Sequence, residues 1–94
     1  MKKIGKGVLE HLADRLREDG FGVESFDVGG VWEPAEIRLG RGFVIRFADG
    51  CCAIEHEVAS GDTYLLDSHM TQSYNAILGL AVMARSLDGE AVAV

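Results

Sequence analysis

The segment from Cys51 to Glu57 brings together the side chains that most often bind metal ions, in the order Cys-Cys-Ala-Ile-Glu-His-Glu. Cys52 and His56 share one face of a strand, because side chains alternate between the two faces. The other face carries Cys51, Glu55 and Glu57. Cys52 and His56 would lie more than about 13 Å apart along the strand, too far to bind one zinc ion. We therefore expect a core cysteine and a core-edge histidine, with no metal and no cofactor.

Two further patterns resemble sites but have simpler explanations. Glu55 and Glu57 form an acidic patch, yet calcium sites usually add backbone carbonyls and more carboxylates, and arginines at 38 and 46 balance this face. Asp67-Ser68-His69 contains the three residue types of a catalytic triad, but neighbours at a helix start point in different directions. We interpret Ser68 as a helix N-cap and predict no catalytic residue.

Trp32 is the one tryptophan of the chain and lies in a Gly-Gly-Val-Trp-Glu-Pro loop. Tryptophan is enriched at the centres of protein interfaces, because it buries a large apolar area at little entropic cost. The loop Val31, Trp32 and Glu33 is therefore our candidate contact loop. The alternative is that Trp32 folds back onto the core of its own chain.

The strongest apolar signal is the run Ala76 to Ala84, which has no polar side chain and lies within an expected helix from about His69 to Leu87. A helix that is apolar all round must be covered on nearly every side. A sheet would cover Tyr74, Ile77, Leu78 and Ala81. The remaining strip is the predicted dimer interface: Ala76, Gly79, Leu80, Met83 and Leu87.

The segment from Ala35 to Val58 predicts two hairpins that agree on one buried face. A Gly40–Gly42 loop and a type I′ turn at Asp49-Gly50 define the registers. The first loop would pair Leu39 with Phe43, Ile37 with Ile45 and Ala35 with Phe47. The second would pair Phe47 with Cys52, Ile45 with Ile54 and Phe43 with His56. Two independent turns that give the same inward face favour an antiparallel meander.

The rest of the chain supplies a helix on either side of this meander. Apolar residues at helical spacing predict an amphipathic helix over 7–19, and Gly20 followed by Phe21 indicates a Schellman ending. Outer strands are expected over 22–28 and 63–67, the latter with Leu66 inward and with Asp67 able to oppose Glu55. Gly89 would end the second helix, leaving residues 91–94 as an edge strand or disordered.

These elements predict one α+β domain over residues 1–94: a four- or five-stranded antiparallel meander sheet with an N-terminal and a C-terminal helix on one face. We expect the terminal segments 1–6 and 90–94 to be poorly ordered, as the ends of most domains are.

Composition narrows the classes of function. The 94 residues carry a formal net charge of -6, and all three lysines lie in the first six residues. No basic stripe is available for nucleic acid, so we expect no direct nucleic-acid binding. No segment reaches the roughly 20 apolar residues of a membrane span, and no secretory signal precedes Val8. We expect a cytoplasmic protein with reduced thiols.

Three hypotheses of function remain. The first is a non-enzymatic interaction module, a small acidic homodimer that binds a protein partner. The second is an inhibitor of the kind that phages and mobile elements encode, blocking a nucleic-acid-binding host complex through acidic surface mimicry. The third is a small metal-binding or enzymatic domain that uses His56. The predicted partner surface consists of Val31, Trp32, Glu33, Glu36, Glu55 and Glu57. For the inhibitor, the acidic surface would be supplied by Glu24, Asp27, Glu33, Glu36, Glu55 and Glu57.

Overall fold

The computed structural model describes the backbone of residues 3–93 and the side chains of residues 3–88. Its elements are α1 (Lys6–Glu18), β1 (Ser25–Asp27), β2 (Ala35–Gly40), β3 (Phe43–Ala48), β4 (Cys51–Glu57), β5 (Thr63–His69) and α2 (Tyr74–Ala93). The five strands form one antiparallel sheet in sequential order. The predicted α+β meander with two flanking helices is confirmed, and it has five strands.

The core lies between one face of the sheet and the two helices. α1 lies over β1 and β2, and α2 lies over β3, β4 and β5. The largest side chains that are fully buried in this layer are Leu9, Leu16, Ile37, Ile45, Phe47, Ile54, Ile77 and Leu80. Residues at alternate positions of the strands therefore pack against residues spaced three or four positions apart in α1 and α2, as the sequence pattern predicts.

α1 ends in the predicted Schellman motif. Gly20 has φ +89, the Gly20 amide donates to Arg17 O at 3.0 Å, and the Phe21 amide donates to Leu16 O at 2.9 Å. Phe21 and Leu16 are both buried, so the expected hydrophobic contact accompanies the backbone bonds. Tyr74 joins the two helices, because its hydroxyl donates to Asp19 at 2.5 Å. Burial and this hydrogen bond raise the pKa of Tyr74 to about 12.

The turn at Asp49-Gly50 has the predicted type I′ geometry, with φ values of 51 and 80. It sets Phe47 opposite Cys52, Ile45 opposite Ile54 and Phe43 opposite His56, so these three predicted pairs are confirmed.

The hairpin between β2 and β3 departs from the prediction at its tip. Ala35 pairs with Phe47 and Ile37 with Ile45 as expected, but Gly40 rather than Leu39 lies opposite Phe43. The turn consists of Arg41 and Gly42, with φ values of 53 and 84, and Gly40 has φ +104. A left-handed glycine at the end of β2 lets the strand carry one extra residue, as a bulge does, so the predicted Leu39–Phe43 pair is wrong.

A second irregularity lies between β4 and β5. Glu55 pairs with Leu65 and Ile54 pairs with Asp67, which leaves Leu66 as the extra residue. The predicted opposition of Glu55 and Asp67 is therefore wrong. Leu66 packs against the core and Leu65 is exposed, as expected. The bulge allows Leu66 to point toward the core while β4 keeps the register that the Asp49-Gly50 turn fixes.

The two ends of α2 also differ from expectation. Ser68 lies within β5, and the hydroxyl at the helix start is that of Ser73, which accepts a hydrogen bond from the Ala76 amide at 3.3 Å. The helix passes through Gly89 to Ala93, so 91–93 is helical rather than an edge strand. Each glycine within a helix costs about 1 kcal/mol relative to alanine, and α2 contains Gly79 as well as Gly89. Met1, Lys2 and Val94 lie outside the described residues.

β1 is shorter than the predicted strand over 22–28, but Phe26 and Val28 both pack against the core as expected. Within residues 3–93, no helix combines the length and apolarity that crossing a bilayer requires.

The tip of the β2–β3 hairpin gives a matched pair of glycine variants. A Cβ at Gly42 would lie 2.2 Å from the carbonyl oxygen of Glu57, whereas a Cβ at Gly50 would meet nothing within 4 Å. Both glycines have positive φ, so alanine costs about 1–2 kcal/mol of backbone strain at either position. We expect Gly42→Ala to reduce the free energy of unfolding by about 1–3 kcal/mol more than Gly50→Ala, because of the added overpacking.

Urea denaturation followed by circular dichroism measures both variants. Equal destabilisation would contradict the close approach of the Gly42 and Glu57 backbones.

Candidate functional site on the open face of the sheet

The sheet face turned away from the helices carries a network of ion pairs. Arg38 Nε lies 2.5 Å from Glu36 Oε2, and Arg38 Nη2 lies 3.0 Å from Glu57 Oε1. Arg46 Nε lies 2.7 Å from Glu55 Oε2, and Arg46 Nη2 lies 3.5 Å from Glu57 Oε1. Glu57 therefore connects the two arginines across β2, β3 and β4.

Val44 forms the floor of this network. It faces Arg38 on β2 and Glu55 on β4, and it is fully buried although it does not belong to the core between the sheet and the helices. The aliphatic stems of its charged neighbours cover it while their charged groups remain near solvent. The ion pairs are thus packed on an apolar floor, and the paired atoms Arg46 Nε and Glu55 Oε2 are themselves buried.

The charges of this ion-pair network nearly cancel. Its three glutamates and two arginines sum to -1, from -3 and +2. The hydrogen bond from Arg38 lowers the pKa of the Glu57 carboxyl, and the same bond raises the pKa of Arg38. The predicted charge balance between Glu55, Glu57 and the two arginines is therefore present.

An apolar depression of about 200 Å³ adjoins this network. Arg46 and Glu55 border it on one side. Its other lining residues are mostly small: Pro34, Ala48, Cys51, Cys52, Ala53 and Ser68. Small side chains at the ends of β3, β4 and β5 leave this hollow, and its walls could receive one apolar side chain of a partner.

Trp32 lies at the surface, in the loop between β1 and β2. Its side chain is 84% exposed and that of Val31 is 76% exposed, so the alternative that Trp32 folds onto the core is wrong. Glu33 is exposed as well. Pro34 follows directly and lines the depression, so the loop and the depression are continuous.

Lys3 braces this loop. Its ammonium group donates to the carbonyl oxygens of Val28 at 2.8 Å, of Glu33 at 2.5 Å, and of Gly30. Asp27 adds an Asx-type turn, since its Oδ1 accepts from the Gly29 amide at 2.7 Å. We define the Trp32 loop as residues 28–33. Sequence reasoning missed the role of Lys3, because no local pattern links residues 25 to 30 positions apart.

The predicted dimer strip on α2 is only partly at the surface. Gly79 is exposed, Leu87 is 37% exposed, and Ala76 and Met83 are half-buried. Leu80 is fully buried in the core of its own chain, so its assignment to the outer strip is wrong. The five-strand sheet is wide enough to cover Leu80 as well as Ile77 and Ala81.

The cysteines and His56 have structural surroundings. Cys52 is buried with Sγ 3.2 Å from Thr71 O, and burial raises its pKa to about 11. His56 stacks on Phe43 with ring centroids 4.2 Å apart, and its Nε2 lies 3.1 Å from Arg41 O. Among the residues that the structure describes, no group of three or more potential ligands could hold a metal ion.

The alternation of side chains along β5 separates the triad-like residues Asp67, Ser68 and His69. Asp67 and His69 lie opposite Ile54 and Cys52, whereas Ser68 lies opposite Ala53 between them, so its side chain points to the other face. Asp67 Oδ1 instead accepts the Ser68 amide at 2.8 Å, and Asp67 Oδ2 lies 4.0 Å from His69 Nε2.

A second concavity, of about 210 Å³, lies between the end of α1, the β2–β3 tip and α2. Its charged lining is already engaged: Arg41 pairs with Asp88 at 3.5 Å, and the Arg85 guanidinium lies 4.0 Å from the Phe21 ring centroid. The volume is below the roughly 300 Å³ of most ligand pockets. This concavity therefore has the contacts of a packed junction.

No protein-family model matches this chain, and no curated protein or solved structure matches it either.

The different burial of the two neighbouring thiols predicts selective alkylation. Cys51 is half-buried and lines the depression, whereas Cys52 is buried with a pKa of about 11. Because the thiolate is the reactive form, we expect iodoacetamide at pH 8 to modify Cys51 and to spare Cys52 until denaturant is added. Peptide mass spectrometry identifies the modified residue, and equal labelling of both thiols in the native protein would contradict the burial of Cys52.

The ion pair of Glu57 predicts a pH-dependent contribution to stability. Because Arg38 lowers the pKa of Glu57 in the folded state, the contribution is present above the unfolded pKa of about 4.3 and is lost as pH falls through the folded value. We expect Glu57→Gln to destabilise the fold at pH 7 by up to about 1 kcal/mol, and this difference to vanish in acid.

Urea denaturation at several pH values measures the effect. Glu10→Gln, at an exposed position of α1, is the matched control and should leave stability nearly unchanged. A Glu57→Gln effect that grew as pH fell would have the wrong sign.

Proposed function

We propose that this chain is a non-enzymatic protein-interaction module that works as a homodimer and binds a protein partner through the Trp32 loop and the adjoining depression. The observation that carries the proposal is Trp32, 84% exposed on a loop that Lys3 and Asp27 hold in place. A tryptophan that is exposed on a loop with several hydrogen bonds to its backbone has the properties of an interface anchor.

The bracing of the loop supports this function. Binding requires ordering of the contact residues, and each side chain or loop that is ordered in advance lowers that cost. The Lys3 ammonium donates hydrogen bonds to three carbonyl oxygens of the Trp32 loop. These bonds hold the backbone that carries Val31 and Trp32 in one conformation in the absence of a partner. This arrangement favours recognition by a fixed surface.

The surroundings of the loop indicate the chemistry of the partner. Pro34 connects Trp32 to an apolar depression, and the ion-pair network of Arg38, Arg46 and the glutamates forms a polar border. An apolar centre beside a polar rim is the usual anatomy of a protein interface. The expected partner is a protein segment with an apolar side chain for the depression, rather than a strongly basic surface.

Acidic mimicry of nucleic acid has less support from this geometry. Phosphate mimicry requires carboxylates that are free of basic neighbours, but Glu36, Glu55 and Glu57 each lie within 3.5 Å of an arginine nitrogen. Catalysis or metal binding by His56 also has less support, since the ring stacks on Phe43 and faces the Arg41 carbonyl. The two free cysteines fit the cytoplasmic location that we propose.

Replacing Trp32 tests the partner surface. We expect Trp32→Ala to weaken partner binding by about 30-fold or more, which corresponds to the roughly 2 kcal/mol of an interface hot spot. Affinity capture from host cells with quantitative mass spectrometry measures this, and the purified partner then gives the dissociation constant by calorimetry.

Two variants complete the test. Met70→Ala removes an equally exposed apolar side chain outside the surface and should leave capture unchanged. Lys3→Met keeps Trp32 but removes the brace, and should weaken binding by less than Trp32→Ala does. If no captured protein depends on Trp32 while being retained by Met70→Ala, the proposed surface is wrong.

A further inference from the structure

The two edges of the sheet differ in how they are protected from pairing with another strand. β1 has only three residues, whereas β5 has seven and contains no proline, lysine or arginine. Tyr64 and Leu65 of β5 are 55% and 64% exposed. Natural edge strands are usually short, charged or interrupted by proline, because an open edge is a template for another strand. The protective devices on β5 are the bulge at Leu66 and the carboxylate of Asp67, and both lie beyond Leu65.

One flank of α2 lies over this same edge. Tyr74 contacts α1 through Asp19 and through Arg15, whose guanidinium is 3.9 Å from the tyrosine ring centroid. At about 100° per residue, Ala76, Met83 and Leu87 fall within a sector of about 40° on the opposite side of the helix from Tyr74. Because α1 lies over β1 and β2 while α2 lies over β3 to β5, that flank points toward β5.

We infer that a second copy of this chain binds this edge, so that β5 pairs antiparallel with β5 of the copy and the α2 flanks meet across a twofold axis. This inference rests on the proposed homodimer. It places the dimer interface on α2 and β5 together, whereas the sequence predicts an interface on α2 alone. We define the β5 edge surface by the residues Tyr64, Leu65, Ala76, Met83 and Leu87.

The distribution of charge favours a like copy at this surface. Asp67 is the only carboxylate of β5; it accepts the Ser68 amide and faces His69. α2 has no charged residue from Tyr74 to Ala84. Two copies that each carry a net charge of -6 repel where carboxylates face one another, but the five residues that define the β5 edge surface include no carboxylate. A basic partner would find no unpaired carboxylate to select.

Symmetry favours the same arrangement. A twofold axis places a surface against an identical surface, and an antiparallel strand pair has that symmetry by construction. The two five-stranded sheets would join into one continuous sheet of ten strands. Pairing would satisfy the open backbone groups of β5, and the facing α2 flanks would cover Met83 and Leu87.

The dimer would leave both Trp32 loops free. β5 and the Trp32 loop lie toward opposite edges of the sheet, since the loop joins β1 to β2. Between β2 and its copy there would be seven inter-strand spacings, or about 34 Å at about 4.8 Å each. The dimer would therefore present two Trp32 loops at its far ends and bind two sites of one partner with increased avidity.

Light scattering after size exclusion at about 100 μM tests the inference. We expect the wild type to have twice the chain mass of 10.1 kDa and Leu65→Lys to have the monomer mass with an unchanged circular dichroism spectrum. Lysine at an exposed edge position opposes pairing without entering the core. Ser25→Lys, an equivalent change on exposed Ser25 of β1, is the matched control and should remain dimeric.

Hydrogen exchange of the wild type gives a second readout that needs no variant. The amides of β5 should exchange more slowly at 100 μM than at 1 μM, while those of β1 should not change with concentration. A monomeric wild type, a Leu65→Lys dimer, or β5 exchange that is independent of concentration would each overturn the inference. Trp32→Ala should leave the mass unchanged, so loss of partner binding and loss of the dimer are distinguishable.

Discussion

The register of the two central hairpins is the constraint on which the rest of the structure depends. Side chains alternate along a strand, so a slip of one residue between β3 and its neighbours would exchange the core face for the open face. The left-handed pairs Arg41-Gly42 and Asp49-Gly50 prevent this slip by closing two short turns. Gly42 is further held by its O accepting the Glu57 amide at 2.8 Å.

That register determines which residues lie on each face of the sheet. On one side, Ile37, Ile45 and Ile54 align across β2, β3 and β4 and form the floor for the helices. On the other side, Arg38, Val44 and Glu55 align across the same strands, so opposite charges meet over an apolar residue. The core and the ion-pair network are therefore two consequences of one alignment.

The parts of the fold that the sequence predicts are those with a local signal. Gly20 and Phe21 specify the end of α1, and Asp49-Gly50 specifies a turn, because each depends on the backbone preferences of adjacent residues. The β5 bulge at Leu66 has no such signal, since it arises where the register of β4 meets an apolar pair that must be divided between two faces. The burial of Leu80 likewise depends on the width of the sheet.

The candidate site also combines residues that the sequence identifies with contacts that it does not. Trp32 is identifiable as a single tryptophan in a glycine-rich loop, and the balanced charges follow from strand alternation. The brace from Lys3 and the depression beside Pro34 depend on residues that are distant in sequence, and a single sequence contains no record of those contacts. Local chemistry thus indicates which residues matter, while the tertiary structure decides how rigidly they are presented.

The hydrogen bonds of Lys3 also couple the Trp32 loop to the segment that precedes α1. Lys3 precedes α1, and its side chain is exposed, so its three hydrogen bonds belong to a part of the molecule that opens more readily than the core does. Under the proposed function, opening of these bonds would lower the fraction of molecules with a binding-competent loop, and the apparent affinity would fall in proportion. If the Trp32 loop binds a partner as proposed, the local opening equilibrium of the segment before α1 would set an upper limit on the affinity, independently of the global stability of the fold.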